Sequence, residues 1–372
     1  MEMRSSLRCL RPDRSKRLKR HFNQRIGSLE KYLLLLVYTI FTSATSATAG
    51  IVPAFRLRQM TDGADVIAVG RVVAVEERGA AIAHTSSGEF AARAMVATLE
   101  IERLLKGGGT GARVDFTFLL PEEMVGYWPI GQGQFGVFFL QQLGPGYQIF
   151  DPYHPFVEAV PGTPPMNGSA FEKVIGEMTG VLTSSRASDD ARILTVHALD
   201  QTPGAPSTAA LVEGARQQNE EVRLRSMAAL FRRNNLAFLD EATGLLLHPP
   251  SGVNPDLLDD MSLGIGAGVT SAKATPSLVK LLKAPRVETR RSAALASRLI
   301  GGGDAVRALA GALSDSDRRV QYEAISAVAS FTGQNEWNPD LRDYMNKSTE
   351  PYLTHWRQWA ESNQQLPPLA PR

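Results

Sequence analysis

The sequence predicts an α+β multidomain protein: a small antiparallel β-barrel or sandwich followed by an α-solenoid of helix pairs. Three observations predict it. A helix-face pattern, [small or Val]-Arg-x-x-Ala-x-x-Ala-[Leu or Val], returns with local variation at Ala191-Arg192…Thr195…Ala198-Leu199, Val222-Arg223…Ser226…Ala229-Leu230, Thr289-Arg290…Ala293…Ala296-Ser297 and Val320-Gln321…Ala324…Ala327-Val328. Its starts lie 31, 67 and 31 residues apart, and 67 leaves room for one degenerate copy. Leu211, Leu278 and Leu309 recur in the same phase, and two markers at one spacing are the signature of a repeat array. Before Val160, by contrast, apolar residues alternate with period two or run continuously, as in strands.

Residues 1–49 read as a secretory signal peptide. A densely basic stretch ends at Lys31, the apolar run Tyr32–Phe41 follows, and Ala47-Thr48-Ala49 supplies a small-residue cleavage site. The run is short for a transmembrane span. Export to the periplasm or medium is therefore expected, with an uncleaved membrane anchor as the alternative. Ten of the 40 Lys/Arg and three of the 38 Asp/Glu lie in this segment, leaving 30 basic against 35 acidic residues, a net charge of −5. That balance gives no reason to expect a nucleic-acid partner. The single cysteine, Cys9, also lies there, so the remainder has no disulfide framework, thiol nucleophile or thiolate metal site.

Residues 50–160 are expected to form the β domain. Asp65–Val75 is a β-branched run, and Ala94–Ile101 is strand-like before the Gly107-Gly108-Gly109 turn. Arg113–Leu119 alternates, with Val114, Phe116 and Phe118 on one face. Gly136–Leu140 reads as a buried strand joined through Gly144-Pro145-Gly146 to Tyr147–Phe150. Short strands at close spacing imply a small antiparallel barrel or sandwich. The order GADVIAVGRVVAVEE, MVATLEIERLLKG, GQFGVFFL, GYQIFD is similar to the OB-like barrel of netrin modules and tissue inhibitors of metalloproteinases. That resemblance implies the fold. It does not extend to inhibition, because those inhibitors place a terminal cysteine on the enzyme's metal and none exists here.

Residues 161–168 are Pro/Gly-rich and mark the linker, residues 169–362 the solenoid, and residues 363–372 a Pro-rich tail. Each unit pairs a first helix such as Thr275–Lys283 with a second helix carrying the Ala-rich pattern; neither buries its stripe alone, so stacking is required. The pattern resembles the HEAT family, in its short units of about 31 residues, and implies six helix pairs. The third is irregular, with Pro249, Pro250 and Pro255, several glycines and Asp259-Asp260. The family's acid-to-arginine ladder is incomplete, since Gln321 stands where an arginine would meet Asp315.

No constellation carries catalysis, a cofactor or a metal. Gly131-Gln132-Gly133-Gln134-Phe135-Gly136 matches G-x-G-x-x-G but precedes a strand instead of opening a helix, which is a turn and not a dinucleotide site. His84, His154, His197, His248 and His355 are scattered, Asp151 and His154 being the one acid–imidazole neighbourhood. The expectation is an exported, non-enzymatic protein-binding scaffold. The alternatives are a HEAT-supported, lyase-like enzyme and a barrel that regulates or inhibits a secreted enzyme. Candidate partner-binding residues are Arg225, Arg291 and Arg298 on the second helices, facing an acidic segment of a protein partner, and Tyr127 and Trp128 on the long loop 121–133.

Overall fold

The computed structural model describes residues 54–85, 88–122, 129–164 and 166–363, which belong to one compact unit. The leader, residues 1–49, and the tail from Gln364 lie outside the described residues. Helix α1 (Leu57–Gly63) is followed by six strands: β1 (Val66–Thr85), β2 (Gly88–Lys106), β3 (Arg113–Pro121), β4 (Phe135–Leu143), β5 (Gly146–Ile149) and β6 (Phe156–Glu158).

Both faces of the sheet are apolar, which is why its strands read as near-continuous hydrophobic runs. On β1, Val66, Ala68 and Val72 join Leu99, Phe116, Phe138 and Leu140 in a core among the strands' own side chains. Ile67 and Val69, with Val137, Phe139 and Val157, point the other way into a core shared with α1 and the helices that follow. On β3, Val114, Phe116 and Phe118 are buried while Arg113, Asp115 and Thr117 are exposed, as the alternation requires.

The expected antiparallel OB-like barrel or sandwich is corrected by this topology. The strands form one mixed sheet in the order β1-β2-β3-β5-β4-β6, with β1 also pairing β4 and β6 as an edge. The β3–β5 pair is parallel and consists of Phe116↔Tyr147 and Thr117↔Gln148. No second sheet packs on it among the described residues; helices cover the face that a sandwich would give to strands. The β1–β2 hairpin also runs from Ile67↔Lys106 to Thr85↔Gly88, well past the segment that meets other strands. The resemblance to netrin and metalloproteinase-inhibitor barrels is withdrawn with it. Gly131–Gly136 leads into β4, where Gly136 faces Gly70 across the β1–β4 pair, and a Cβ on it would lie 2.7 Å from Val157 O. That glycine serves close strand packing.

The solenoid comprises six helix pairs: α2 (Ala170–Thr183) with α3 (Asp189–Asp200), α4 (Ala205–Ala215) with α5 (Glu220–Arg232), α6 (Leu239–Leu247) with α7 (Pro255–Gly268), α8 (Thr275–Leu281) with α9 (Val287–Ile300), α10 (Gly303–Ala312) with α11 (Arg318–Thr332), and α12 (Leu341–Asn346) with α13 (Glu350–Ser362). Turn residues set the helix starts. Ser169 forms a capping box with Glu172, and Ser188, Asn219, Asn254 and Asp317 accept backbone N–H bonds at the starts of α3, α5, α7 and α11. Leu211, Leu278 and Leu309 are fully buried on the first helices of their pairs.

The glycines of the irregular third pair have a packing role. A Cβ at Gly264 would lie 2.6 Å from Ala228 O, and one at Gly268 would lie 2.2 Å from Phe231 O, so α7 rests directly on the backbone of α5. Gly266 meets Ser292 of α9 on the other side. Small residues here let three second helices approach more closely than a side chain would permit.

Sheet and solenoid are joined by packing and by charge. Phe55, Leu57, Ile67, Val137 and Val157 share one core with Phe171, Ile175 and Met178 of α2. Above it, Arg103 of β2, 14% exposed, holds the carboxylate of Glu177 of α2, 2% exposed, with Nε to Oε1 at 2.8 Å and a second bond from Nη2. The hydrogen bond to Glu177 is the main cause that raises the Arg103 pKa above its ordinary value, against the burial that lowers it. Residues 161–168 are tied on both sides: Gly162 N–H donates to Glu102 of β2 at 2.8 Å, and Arg186 donates to Pro161 O at 2.7 Å.

Glu177→Ala leaves Arg103 with Glu102 alone and should cost about 1–3 kcal/mol in denaturant unfolding, with sheet and solenoid melting in one transition. Gly268→Ala should destabilise by about 1–3 kcal/mol through overpacking. Gly244→Ala, on α6 with open space around it, should stabilise by about 0.4–1 kcal/mol.

Candidate functional site

The second helices present their exposed stripes one after another along the stack. On α7 the stripe carries Asp260, Leu263 and Ala267; on α9 it carries Glu288, Arg291, Leu295 and Leu299. Leu263 is 59% exposed and Leu299 49% exposed.

Arginines bridge one second helix to the next. Arg232 of α5 binds Asp200 of α3 at 2.8 Å and Asp260 of α7 at 3.0 Å. Arg286, in the turn before α9, binds Asp259 of α7 at 2.6 Å. Between α9 and the turn and helix of the next pair three bridges form: Arg290 with Asp315 at 2.8 Å, Arg291 with Asp317 at 2.7 Å, and Arg298 with Glu323 at 2.5 Å. Burial lowers the Arg232 pKa, but Asp200 and Asp260 outweigh it and the net direction is upward. From α9 the ladder runs forward, so that Asp315 is filled by Arg290 of the preceding unit, whereas Arg232 reaches both ways and Arg286 reaches back to α7. Gln321, lacking charge, donates to the backbone oxygen of Asp315 at 2.6 Å and accepts from the Tyr344 hydroxyl at 3.1 Å.

The three candidate arginines differ within this frame. Arg225 forms an i,i+4 pair with Glu221 at 2.7 Å on its own helix. Arg291 is shared between Asp317 and Glu288. Arg298 donates through Nε to Glu323, which is 1% exposed and also accepts from Arg319 at 3.0 Å. The terminal nitrogens of Arg298 have no further partner among the described residues. The stripe is therefore mixed in sign and apolar in part, which a count of arginines does not reveal. Tyr127 and Trp128 lie outside the described residues.

A second concavity, of about 270 Å³, lies between the β6 segment and α2–α3, lined by Phe55, His154, Glu158, Met178, Thr195 and His197 among others. His154 Nδ1 lies 3.0 Å from Asp151 Oδ2, and Phe55 meets the imidazole edge-on at 5.3 Å. Burial would raise the Asp151 pKa, but hydrogen bonds from His154 and the Tyr153 N–H outweigh it and hold the carboxyl below its usual range. Burial pushes Glu158 up. The Thr195 hydroxyl donates to Ala191 O at 2.7 Å. Among the described residues no group of three or more His, Cys, Asp or Glu could hold a metal, and no helix is long and apolar enough to cross a membrane.

The ladder has a pH signature. The hydrogen bond from Arg291 is the main cause that lowers the Asp317 pKa, assisted by the N–H groups of Val320 and Arg319 and opposed by burial. A depressed carboxyl contributes stability that is complete above its unfolded pKa and lost as pH falls through the folded value. Asp317→Asn should thus lower the midpoint of thermal unfolding at neutral pH and converge with the parent protein in acid, below the ordinary carboxylate range. A difference that persists undiminished in acid would assign the effect to the helix cap instead.

Comparison with known proteins gives a consistent architecture. A family model described as HEAT repeats matches residues 273–360, the segment from just before α8 into α13. No curated protein matches the chain. Among solved structures, the crystal structure of an engineered protein from a structural genomics consortium aligns at 17% identity, over 53% of this chain and 65% of that one. That is under two thirds of its length, and the TM-score of 0.32 is too low to carry an argument. The C-terminal part of the chain is built of HEAT-like helical repeats, an architecture consistent with protein–protein interaction surfaces.

Proposed function

We propose that this protein is an exported, non-enzymatic scaffold that binds a protein partner along the second-helix stripes of its solenoid. The observation that carries the reading is the exposure of Leu263 on α7 and of Leu299 on α9, together with the uncommitted terminal nitrogens of Arg298 on α9. Exposed apolar side chains grouped with guanidinium donors suit contact with another protein. The free nitrogens of Arg298 fit a carboxylate of that partner, so an acidic segment remains the expected contact there. Arg225 on α5 and Arg291 on α9 are already paired with carboxylates of this chain, and supply orientation more than net charge. Export rests on the tripartite leader of residues 1–49.

One experiment tests both parts. The protein is recovered from the exported fraction after cross-linking, and its N-terminus and cross-linked sites are read by mass spectrometry. The expected N-terminus is Gly50, with cross-links to one partner clustered on α7, α9 and α11. Leu263→Asp combined with Leu299→Asp should abolish capture while shifting the thermal midpoint little, because both side chains are exposed. Undiminished capture by that variant would send the search to the Tyr127–Trp128 loop, and an intact basic leader on a cytosolic product would end the export argument.

A further inference from the structure

The last helix pair carries a surface that the stack does not use. After α13 no further helix pair follows among the described residues. At this end Trp337, Pro351 and Tyr352 line a groove of about 610 Å³, bordered by Glu336, Asp343, Lys347 and Ser348. Its aromatic wall is held by ring contacts and hydrogen bonds. The Trp337 ring lies face to face with His355, centroids 4.0 Å apart and planes 5° from parallel, and meets Tyr352 edge-on at 6.3 Å. Behind it, the Trp356 indole N–H donates to Trp337 O at 3.0 Å, and His355 Nε2 lies 3.1 Å from Gln334 Oε1.

Two groups in this groove are left without partners. Trp337 is half-buried; its indole N–H donates to no described residue and is not a buried, unsatisfied group, so it is open to solvent and to an incoming acceptor. Lys347 is engaged by Asp343 at 2.9 Å, whereas Glu336 has no cation partner among the described residues. The groove thus combines two aromatic faces, a proline, one open donor and one open negative charge.

We infer that the groove is the docking site of the chain's own segment Gln364–Arg372, QQLPPLAPR. A polyproline II segment has no internal hydrogen bonds, so its carbonyls are free acceptors and its rings stack on aromatic walls. This segment holds Pro367, Pro368 and Pro371, and its single charged side chain is the Arg372 guanidinium, opposite in sign to Glu336. Its reach is sufficient. From Asn363 back to Tyr352 the helix descends roughly 17 Å, and nine residues of polyproline II span about 28 Å. Returning along the helix face that carries Trp359 and Tyr352, the segment sets Pro368 and Pro371 over Trp337 and Tyr352. One backbone carbonyl accepts from the Trp337 indole, and Arg372 arrives at Glu336.

Hydrogen exchange of the indole N–H groups in the full chain tests this, with the Trp337 signal assigned by Trp337→Phe. The chain is compared with the tail variant Pro368→Ala, Pro371→Ala, Arg372→Glu, whose substitutions all lie outside the packed helices. Exchange at Trp337 should be slower in the parent chain by at least about tenfold, while Trp356, fully buried in both, stays the same. Equal exchange at Trp337, or an equal change at Trp356, overturns the assignment. Protection of Trp337 that disappears on dilution overturns docking within one chain and gives the groove to the tail of a second copy.

Discussion

The contact between Arg103 and Glu177 is the constraint on which the rest of the arrangement depends. A carboxylate that is 2% exposed is tolerable only when paired and hydrogen-bonded, and Arg103 supplies both from the neighbouring strand. The pair sits above a core in which Ile67, Val137 and Val157 of the sheet pack with Phe171, Ile175 and Met178 of α2. Fixing α2 in this way fixes the orientation of the first helix pair, and each later pair stacks on the one before. The sheet thereby acts as the terminal cap that a repeat array requires at its open end, where an apolar helix face would otherwise meet water. At the other end Trp356, fully buried, does the same work from within α13.

Along the stack, a second interaction repeats. Alanine-rich faces such as Ala293, Ala294 and Ala296 bring the second helices close, and the arginine–carboxylate bridges then fix the register between them. The bridges are unequal. Arg225 and Glu221, both partly exposed on one helix, are worth about 0–1 kcal/mol, while Glu323 at 1% exposure depends on Arg298 and Arg319 for its charge to be tolerated. A basic surface and a structural ladder draw on the same residues, and the geometry assigns most of the guanidinium donors to the ladder. What remains for a partner is a sparse set: exposed leucines and the free end of one arginine.

The sequence by itself determined the solenoid. A helix of 3.6 residues per turn stacked in pairs of fixed length must repeat its apolar positions at a fixed interval, so Leu211, Leu278, Leu309 and the Ala-rich faces announce it locally. The positions of β3, β4 and β5 were legible for the same reason, because the alternation of β3 and the apolar run of β4 are both properties of neighbouring residues. Tertiary structure alone decided what is not local. The parallel β3–β5 pairing joins segments 31 residues apart through two residue pairs, and no periodicity encodes which strand becomes a neighbour. The irregular glycines of the third pair looked like a decayed repeat until the backbone of α5 was found against them. The arginines were correctly placed on second helices, but whether a guanidinium is open or spent depends on carboxylates about 25 to 32 residues away. Charge pairing across a stack is set by the rotation between helices, and that angle is written in packing and not in the order of residues.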